Sequence, residues 1–337
     1  MTTSRTARAD EPLLEVEDLS VSLRVAGEAV RAVDGVSFCV NRGETLGIVG
    51  ESGSGKSMTA SAIMGILPDK IAEIESGSIK LDGEDLLVLG ERAMQKVRGR
   101  RIGMILQDPH TSLNPVFSSG EQIGEVFRMQ AQAKARPSIK QRVVDALRDV
   151  HIAAPDVRSA DFPHQMSGGM KQRVVGAIAL AGDPDLVIAD EPTTALDVTV
   201  QSQYLKLLKE LQRERNIGMI FITHDFGVVA RICDKVAVMY AGRIVEAGDV
   251  RTIFRTPAHP YTQALLATVP SVDDKPHRLP AIEGQPPSLF SIPEGCSFAP
   301  RCPKRMEMCS EAPPMLPSEN EPSSGPHGAA CWLLKDS

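Results

Sequence analysis

The eight residues "GESGSGKS", Gly50 to Ser57, constrain this chain more than any other stretch. They fit G-x-x-x-x-G-K-[ST] and lie between a short apolar run, "TLGIV", and a segment of helical character, "KSMTASAIMGIL". A loop in that setting turns successive backbone N–H groups inward, and the following helix adds the positive end of its dipole. Gly50, Ser52, Gly53, Ser54, Gly55 and Met58 are expected to surround phosphate oxygens, Lys56 to reach the outer phosphates, and Ser57 to ligate Mg2+. The flanks argue against a chance glycine-rich turn. A nucleoside triphosphate is the expected ligand.

The rest of the chain supplies the frame such a loop needs. "TLGIVG", "LVIAD" and "GMIFIT" are continuous apolar runs, the pattern of strands buried on both faces of a parallel sheet. Each is followed by a helical stretch: "KSMTASAIMGIL", "VTVQSQYLKLLKELQRER" and "FGVVARIC". Strand then helix, three times over, predicts an α/β core with ligands at the carboxyl ends of the strands. "LLEVEDLSVSL" alternates apolar and polar residues with a slip around Glu17 and Asp18, and reads as an edge or bulged strand. Residues 118–165 are polar and helical in tone with no strand candidate, as an inserted helical subdomain would be.

Of 24 prolines, nine precede residue 257 and fifteen follow from it onward, so the last part cannot be mostly regular helix or central strand. The expected division is a disordered tail over 1–12, a main domain over 13–256 and an irregular extension over 257–337. No internal repeat is visible. The polar start "MTTSRTARADEP" has the character of neither signal peptide nor anchor, and a cytosolic location is expected. No apolar run reaches the roughly 18 to 20 residues of a membrane span, so membrane association is expected to go through a partner. A net charge of -6 gives no general basic field for nucleic acid.

Two further stretches bear on chemistry. In "LVIADEP", Asp190 ends a strand where it can hold Mg2+, and Glu191 beside it can accept a proton from an attacking water. Merely capping the next helix would not require two acids facing a phosphate loop. In "MSGGMKQRV", Ser167, Gly168 and Gly169 open a second helix suited to phosphate. One nucleotide needs one such cradle. The extra one makes sense if it serves the nucleotide of another subunit.

With these residues in hand, residues 13–256 strongly resemble the ATP-binding-cassette ATPases. The resemblance implies a head-to-tail dimer in which each ATP is held between Gly50–Ser57 of one subunit and Ser167–Met170 of the other. It also assigns Gln107 of "ILQDP" as a Mg2+ and water sensor, Asp197 of "ALD" to the dimer seam, and His224 of "ITHD" to the γ-phosphate. The chain departs from the pattern in having no Phe, Tyr or Trp before Phe38, where cassettes stack adenine. Leu23 or Val25 then offers an aliphatic face, and relaxed choice of nucleotide base is expected.

"SGGM", "QDPHTSLNP", "DEPTTALDVTVQ" and "HPYTQALL", followed by "GCSFAPRCP" and "CW", narrow the resemblance to the ATPase subunits of peptide and nickel importers. This implies ATP hydrolysis that energises import of di- or oligopeptides, or alternatively of nickel or another small solute. The implied partners are a second ATPase subunit, two integral-membrane permease subunits and an extracytoplasmic substrate-binding protein, with the chain peripheral on the cytoplasmic face of the inner membrane. A soluble cassette protein of DNA repair or translation would usually carry two cassettes, a long coiled coil or basic arms.

Cys39 and Cys233 lie in apolar settings and read as buried small hydrophobes. Cys296, Cys302, Cys309 and Cys331 follow a C-x5-C-x6-C-x21-C spacing. Disulfides are disfavoured in a reducing cytosol, which leaves a metal ion, a cluster or free thiols. Ordering costs about 1 to 2 kcal/mol per residue, and this extension has few large apolar residues to offset it. A four-cysteine metal site contributes on the order of 10 kcal/mol. C-x2-C knuckles are absent, although wider spacings do not exclude Zn2+. The resemblance implies a [4Fe–4S] cluster, with Zn2+ as the alternative. Arg301, Lys304 and Arg305 read as a solvated basic edge.

Overall fold

The computed structural model describes residues 11–25, 27–129, 138–269, 282–318 and 327–335. The tail expected over 1–12 falls almost wholly outside them. Two long strands, β1 (Leu14–Val25) and β2 (Glu28–Val40), come first, then β3 (Thr45–Val49) and helix α1 (Lys56–Met64). β4 (Ala72–Leu81), β5 (Glu84–Asp85), α2 (Glu91–Val97), β6 (Ile102–Ile105) and α3 (Pro109–Ser112) follow. The next segment is helical: α4 (Ser119–Met129), α5 (Ile139–Asp149), α6 (Pro155–Arg158) and α7 (Gly168–Leu180). Strand and helix then alternate through β7 (Leu186–Asp190), α8 (Val198–Glu214), β8 (Gly218–Thr223), α9 (Phe226–Ile232) and β9 (Lys235–Tyr240). The chain ends with β10 (Arg243–Asp249), α10 (Val250–Arg255), α11 (Pro260–Ala267), β11 (Leu316–Pro317) and β12 (Gly328–Ala329).

The larger sheet has the order β11-β12-β10-β9-β3-β8-β7-β6. Its β9-β3-β8-β7-β6 part is parallel, and β10 and β12 extend it antiparallel. Every residue of β3, β7 and β8 is buried. The reason is two cores. Val49, Val187, Ala189 and Phe221 point into one, while Leu46, Ile48, Ile188 and Ile222 point into the other. Alternation therefore exchanges one apolar environment for another. At roughly 1.5 to 3 kcal/mol for each fully buried large aliphatic side chain, these strands fix the position of their own carboxyl ends.

The smaller sheet, β2-β1-β4-β5, is antiparallel and covers the second core. Of the two alternatives for β1, edge or bulged, the structure bears out the second: the strand lies between β2 and β4. The bulge is present. Register shifts fall between Val16 and Leu19 against β2 and between Glu17 and Ser20 against β4, and Asp18 takes a φ of 46°. Gly77 crosses the bulge so closely that a Cβ there would lie 2.6 Å from the Glu17 carbonyl oxygen. Cys39 also differs from expectation. It is exposed on β2, because Val36 and Val40 take the inward side of the strand, whereas Cys233 is buried as expected. Among the described residues, no helix is long and apolar enough to cross a membrane.

Candidate functional site

The loop Gly50–Gly55 leaves the carboxyl end of β3 and enters α1 through Gly55, which has a φ of 102°. A Cβ on Gly55 would come within 2.6 Å of the Ala32 carbonyl oxygen, so both conformation and space require glycine. Lys56 folds back over the loop. Its Nζ donates to the carbonyl oxygens of Gly50 and Glu51, each at 2.8 Å, and to Ser54 Oγ at 3.3 Å. The side chain is buried, and that burial pulls its pKa down while Glu191, Asp190 and Glu51 hold it up. A buried cation held by loop carbonyls is a charge awaiting an anion.

The carboxyl end of β7 faces the same point. Ser57 Oγ donates to Asp190 Oδ1 at 3.0 Å. Burial pushes the Asp190 carboxyl up, the Ser57 bond opposes this, and the neighbouring Glu191 raises it further. A divalent cation at Asp190 would reverse both upward pressures. One carboxylate with a hydroxyl and an amide suits Mg2+, which keeps waters and binds phosphates beside few protein ligands.

Glu191 is held from several sides. Gln107 Nε2 and Thr194 Oγ1 donate to its Oε2 at 3.1 and 3.0 Å, and His224 Nδ1 lies 3.2 Å from Oε1. Its φ of 44° is left-handed, a conformation costing on the order of 1 to 3 kcal/mol in a residue with a side chain. The Glu191 N–H donates to the Ile222 carbonyl at 3.0 Å, which fixes the turn. Gln107 follows β6, and His224 follows β8. Loops after β3, β6, β7 and β8 thus bring Lys56, Ser57, Gln107, Asp190, Glu191 and His224 together. Thr194 escaped sequence reasoning, since its partner is set by the turn after β7.

Ser167–Met170 and Asp197 belong to a second constellation. Ser167 Oγ accepts from the Met170 N–H at 3.3 Å and caps α7, while Asp197 caps α8 by accepting from Thr199 and Val200. The two helix starts touch: a Cβ on Gly169 would lie 2.8 Å from Val200 Cγ1. The amino end of the 13-residue α7, capped by Ser167, thus lies against the capped start of α8. Leu23 is half-buried near the end of β1, and Val25 is exposed.

The four late cysteines line one narrow apolar cavity with Phe298, Pro313 and Trp332. Gly295 allows the close approach that joins their segments, with the Cys296 N–H donating to the Cys309 carbonyl at 3.0 Å. Burial pushes the thiols of Cys296, Cys302 and Cys331 up, toward the neutral form. Among the described residues, no three His, Cys, Asp or Glu side chains form a group that could hold a metal ion. The ion or cluster expected at Cys296, Cys302, Cys309 and Cys331 is therefore not borne out by the geometry.

Arg301 is a further correction. Its side chain is only 5% exposed and grips Glu51 of the phosphate loop through two bonds of 2.7 and 3.1 Å, so it is no solvated edge. Lys304 and Arg305 are exposed.

Comparison with known proteins agrees with this arrangement. Residues 33–194 match the ABC transporter family, and residues 245–309 match the oligopeptide/dipeptide transporter C-terminal region. The dipeptide transport ATP-binding protein DppD of Bacillus subtilis is 47% identical over 96% of this chain and 95% of its own length. The oligopeptide transport ATP-binding protein OppD of the same organism is 50% identical over 96% of this chain and 89% of its own. Among solved structures, cbiO1 of Clostridium perfringens, part of the ABC transporter complex cbiONQ, superposes with a TM-score of 0.63 at 30% identity, covering 73% of this chain and 92% of that one. The dimeric bacterial ABC transporter cassette MJ0796 gives 0.63 at 25%, covering 71% and 99%. The chain belongs to the ATP-binding-cassette transporter ATPases, in the family of oligopeptide and dipeptide transport ATP-binding proteins.

Proposed function

We propose that this chain hydrolyses ATP to energise an importer of di- or oligopeptides. The observation that carries the reading is the convergence of Lys56, Ser57, Asp190, Glu191, Gln107 and His224 at the carboxyl ends of neighbouring strands. Lys56 exchanges its loop carbonyls for the outer phosphates, and Ser57, Asp190 and Gln107 hold Mg2+ or its waters. Glu191 takes the proton of the attacking water, oriented by Gln107, Thr194 and His224, and general-base action of this kind is worth about 100 to 10,000-fold. The remaining loop residues, Gly50, Ser52, Gly53, Ser54, Gly55 and Met58, surround the phosphates.

The start of α7, Ser167 to Met170, meets the nucleotide of a second ATPase subunit, and Asp197 lies at that seam. Closure of the pair drives two permease subunits through the surface near Gln107 and the helical segment, and a binding protein outside the membrane delivers cargo. The chain works peripherally on the cytoplasmic face, as a cassette domain over 13–256 with an extension over 257–337. A net charge of -6 gives no support to nucleic-acid binding. Purification of the complex from detergent-solubilised membranes tests this reading. Two integral-membrane proteins should accompany the chain, and proteoliposomes should take up labelled peptide only with ATP and an intact Lys56. Uptake of nickel but not peptide would overturn the cargo, and recovery of the chain alone would overturn the importer.

The convergence of Cys296, Cys302, Cys309 and Cys331 on one cavity supports a finer reading, an iron–sulfur cluster. Four soft thiols in an apolar setting fit the chemistry of such a group, and Zn2+ is the alternative. When bound, a cluster supplies thiolate–iron bonds that tie together a segment poor in core. Cys296, Cys302, Cys309 and Cys331 would hold it. Iron, sulfide and zinc measured after oxygen-free purification decide the matter. Iron and sulfide in equal amounts, lost in Cys302→Ser, are expected; zinc alone, or neither, contradicts the cluster.

A further inference from the structure

The extension reaches the phosphate loop through two side chains, Arg301 and Tyr261. Arg301 closes a short 3-10 turn, Ala299–Arg301, between Cys296 and Cys302: the Ala299 N–H donates to the Cys296 carbonyl, and the Cys302 N–H donates to that of Ala299. The guanidinium binds both carboxylate oxygens of Glu51, touches Tyr240 Oη at 3.4 Å and donates from Nε to the Glu283 carbonyl at 3.1 Å. Phe298, Tyr240 and Tyr261 pack ring to ring beside it, with centroids 4.6 to 5.4 Å apart. Tyr261 adds a second link, its hydroxyl accepting the Glu51 N–H at 3.0 Å.

Glu51 is thus held at three points. Its carboxylate belongs to Arg301, its N–H to Tyr261, and its carbonyl to Lys56 Nζ, which shares it with the Ser54 N–H of the same loop. The first two holders come from outside the loop, and the third is the lysine aimed at phosphate. A bidentate arginine–carboxylate pair sets direction as well as distance, which a single lysine contact does not. Any shift of the cysteine turn is transmitted to the residue that shares a bond with Lys56.

We propose that Arg301 is a positioning residue for the phosphate loop, so that the cysteine-lined extension and the nucleotide site are energetically coupled through the Arg301–Glu51 pair. This rests on the nucleotide-site reading above. Coupling between sites is reciprocal: if the extension tunes nucleotide affinity, nucleotide must tune the extension by the same factor.

The test uses the purified full-length chain. Binding of MgATP is measured for the wild type, Arg301→Gln, Arg301→Lys, Glu51→Gln and the Arg301→Gln/Glu51→Gln pair, alongside amide hydrogen exchange over Ala299–Cys302 in the presence and absence of MgATP. Each single variant should weaken MgATP about tenfold, within the 5- to 150-fold usual for coupled sites. The double variant should be no worse than either single, because both remove the same contact. MgATP should change amide exchange over that turn in the wild type and fail to do so in Arg301→Gln. Unchanged affinity in stably folded single variants, additive losses in the double variant, or nucleotide-independent amide exchange over the turn in the wild type would overturn the coupling. A wild type that binds no MgATP would instead overturn the nucleotide-site reading itself.

Discussion

The parallel strand ends and the cysteine-bearing extension solve opposite problems. β3, β7 and β8 are buried along their whole length between two apolar cores, so the loops they carry are placed by packing. Among its described residues the extension contributes one helix, α11, with two-residue strands and short turns, and a few buried polar groups help to hold it. Chief among these is Glu246 on β10, fully buried, which accepts from the Ala258 and His259 N–H groups at 2.8 and 2.9 Å and faces His327 Nε2 at 2.8 Å. The next residues after His327 form β12, paired with Glu246 and Ala247. The contrast teaches that a region can be fixed by area or by a few directional bonds, and that the second kind is much more vulnerable to a single substitution.

That contrast can be broken most forcefully at Glu246. Glu246→Ala leaves two buried N–H groups and His327 without their acceptor, a loss of about 3 to 5 kcal/mol by analogy with breaking buried pairs. Hydrogen exchange should show protection lost at Gly328–Ala329 and retained on β3, β7 and β8. Uniform loss across both regions would show that the extension is not held separately.

A smaller effect comes from acid. His259 is buried and caps α11 through the Tyr261 N–H, and burial pulls its pKa from the ordinary 6.5 to about 4, with Glu246 opposing the shift in part. Between those values the unfolded chain binds a proton that the folded chain does not, so stability falls as pH drops from about 6.5 toward 4. At roughly 1.4 kcal/mol per pKa unit, about 2 kcal/mol should be lost from this group between pH 7 and pH 5. His259→Asn keeps an acceptor for the cap and should flatten that slope in denaturant titrations. An unchanged slope would place the acid sensitivity elsewhere.

The smallest effect sharpens the other side of the comparison. If the nucleotide base rests on the aliphatic end of β1, Leu23→Tyr should tighten ATP and GTP alike by about 1 to 2 kcal/mol, since stacking tolerates any base. Competition assays read this directly. In the unaltered chain GTP should compete nearly as well as ATP, and much weaker competition would contradict relaxed base choice.

The same contrast explains what the sequence made legible. Continuous apolar runs exposed β3, β7 and β8 because burial on both faces leaves a local signature, and the slip at Glu17 and Asp18 marked the bulge in β1. The order of strands is set by distant pairing, so the central position of β1 was not readable. Cys39 looked buried because its neighbours are apolar, yet strand alternation turns it outward. At the nucleotide site, residue types in fixed spacing announced Lys56, Ser57, Asp190 and Glu191. In the extension, Arg301 finds Glu51 and His327 finds Glu246 across 250 and 81 positions, and no local pattern announces such pairs.

The most direct measurement is MgATP binding and phosphate release by Glu191→Gln beside the wild type, with subunit mass followed by light scattering. Loss of turnover by about 100-fold or more, with ATP still bound and dimers accumulating, is the predicted result. Near-normal hydrolysis in that variant would contradict Glu191 as the base, and with it the account of how this chain uses ATP.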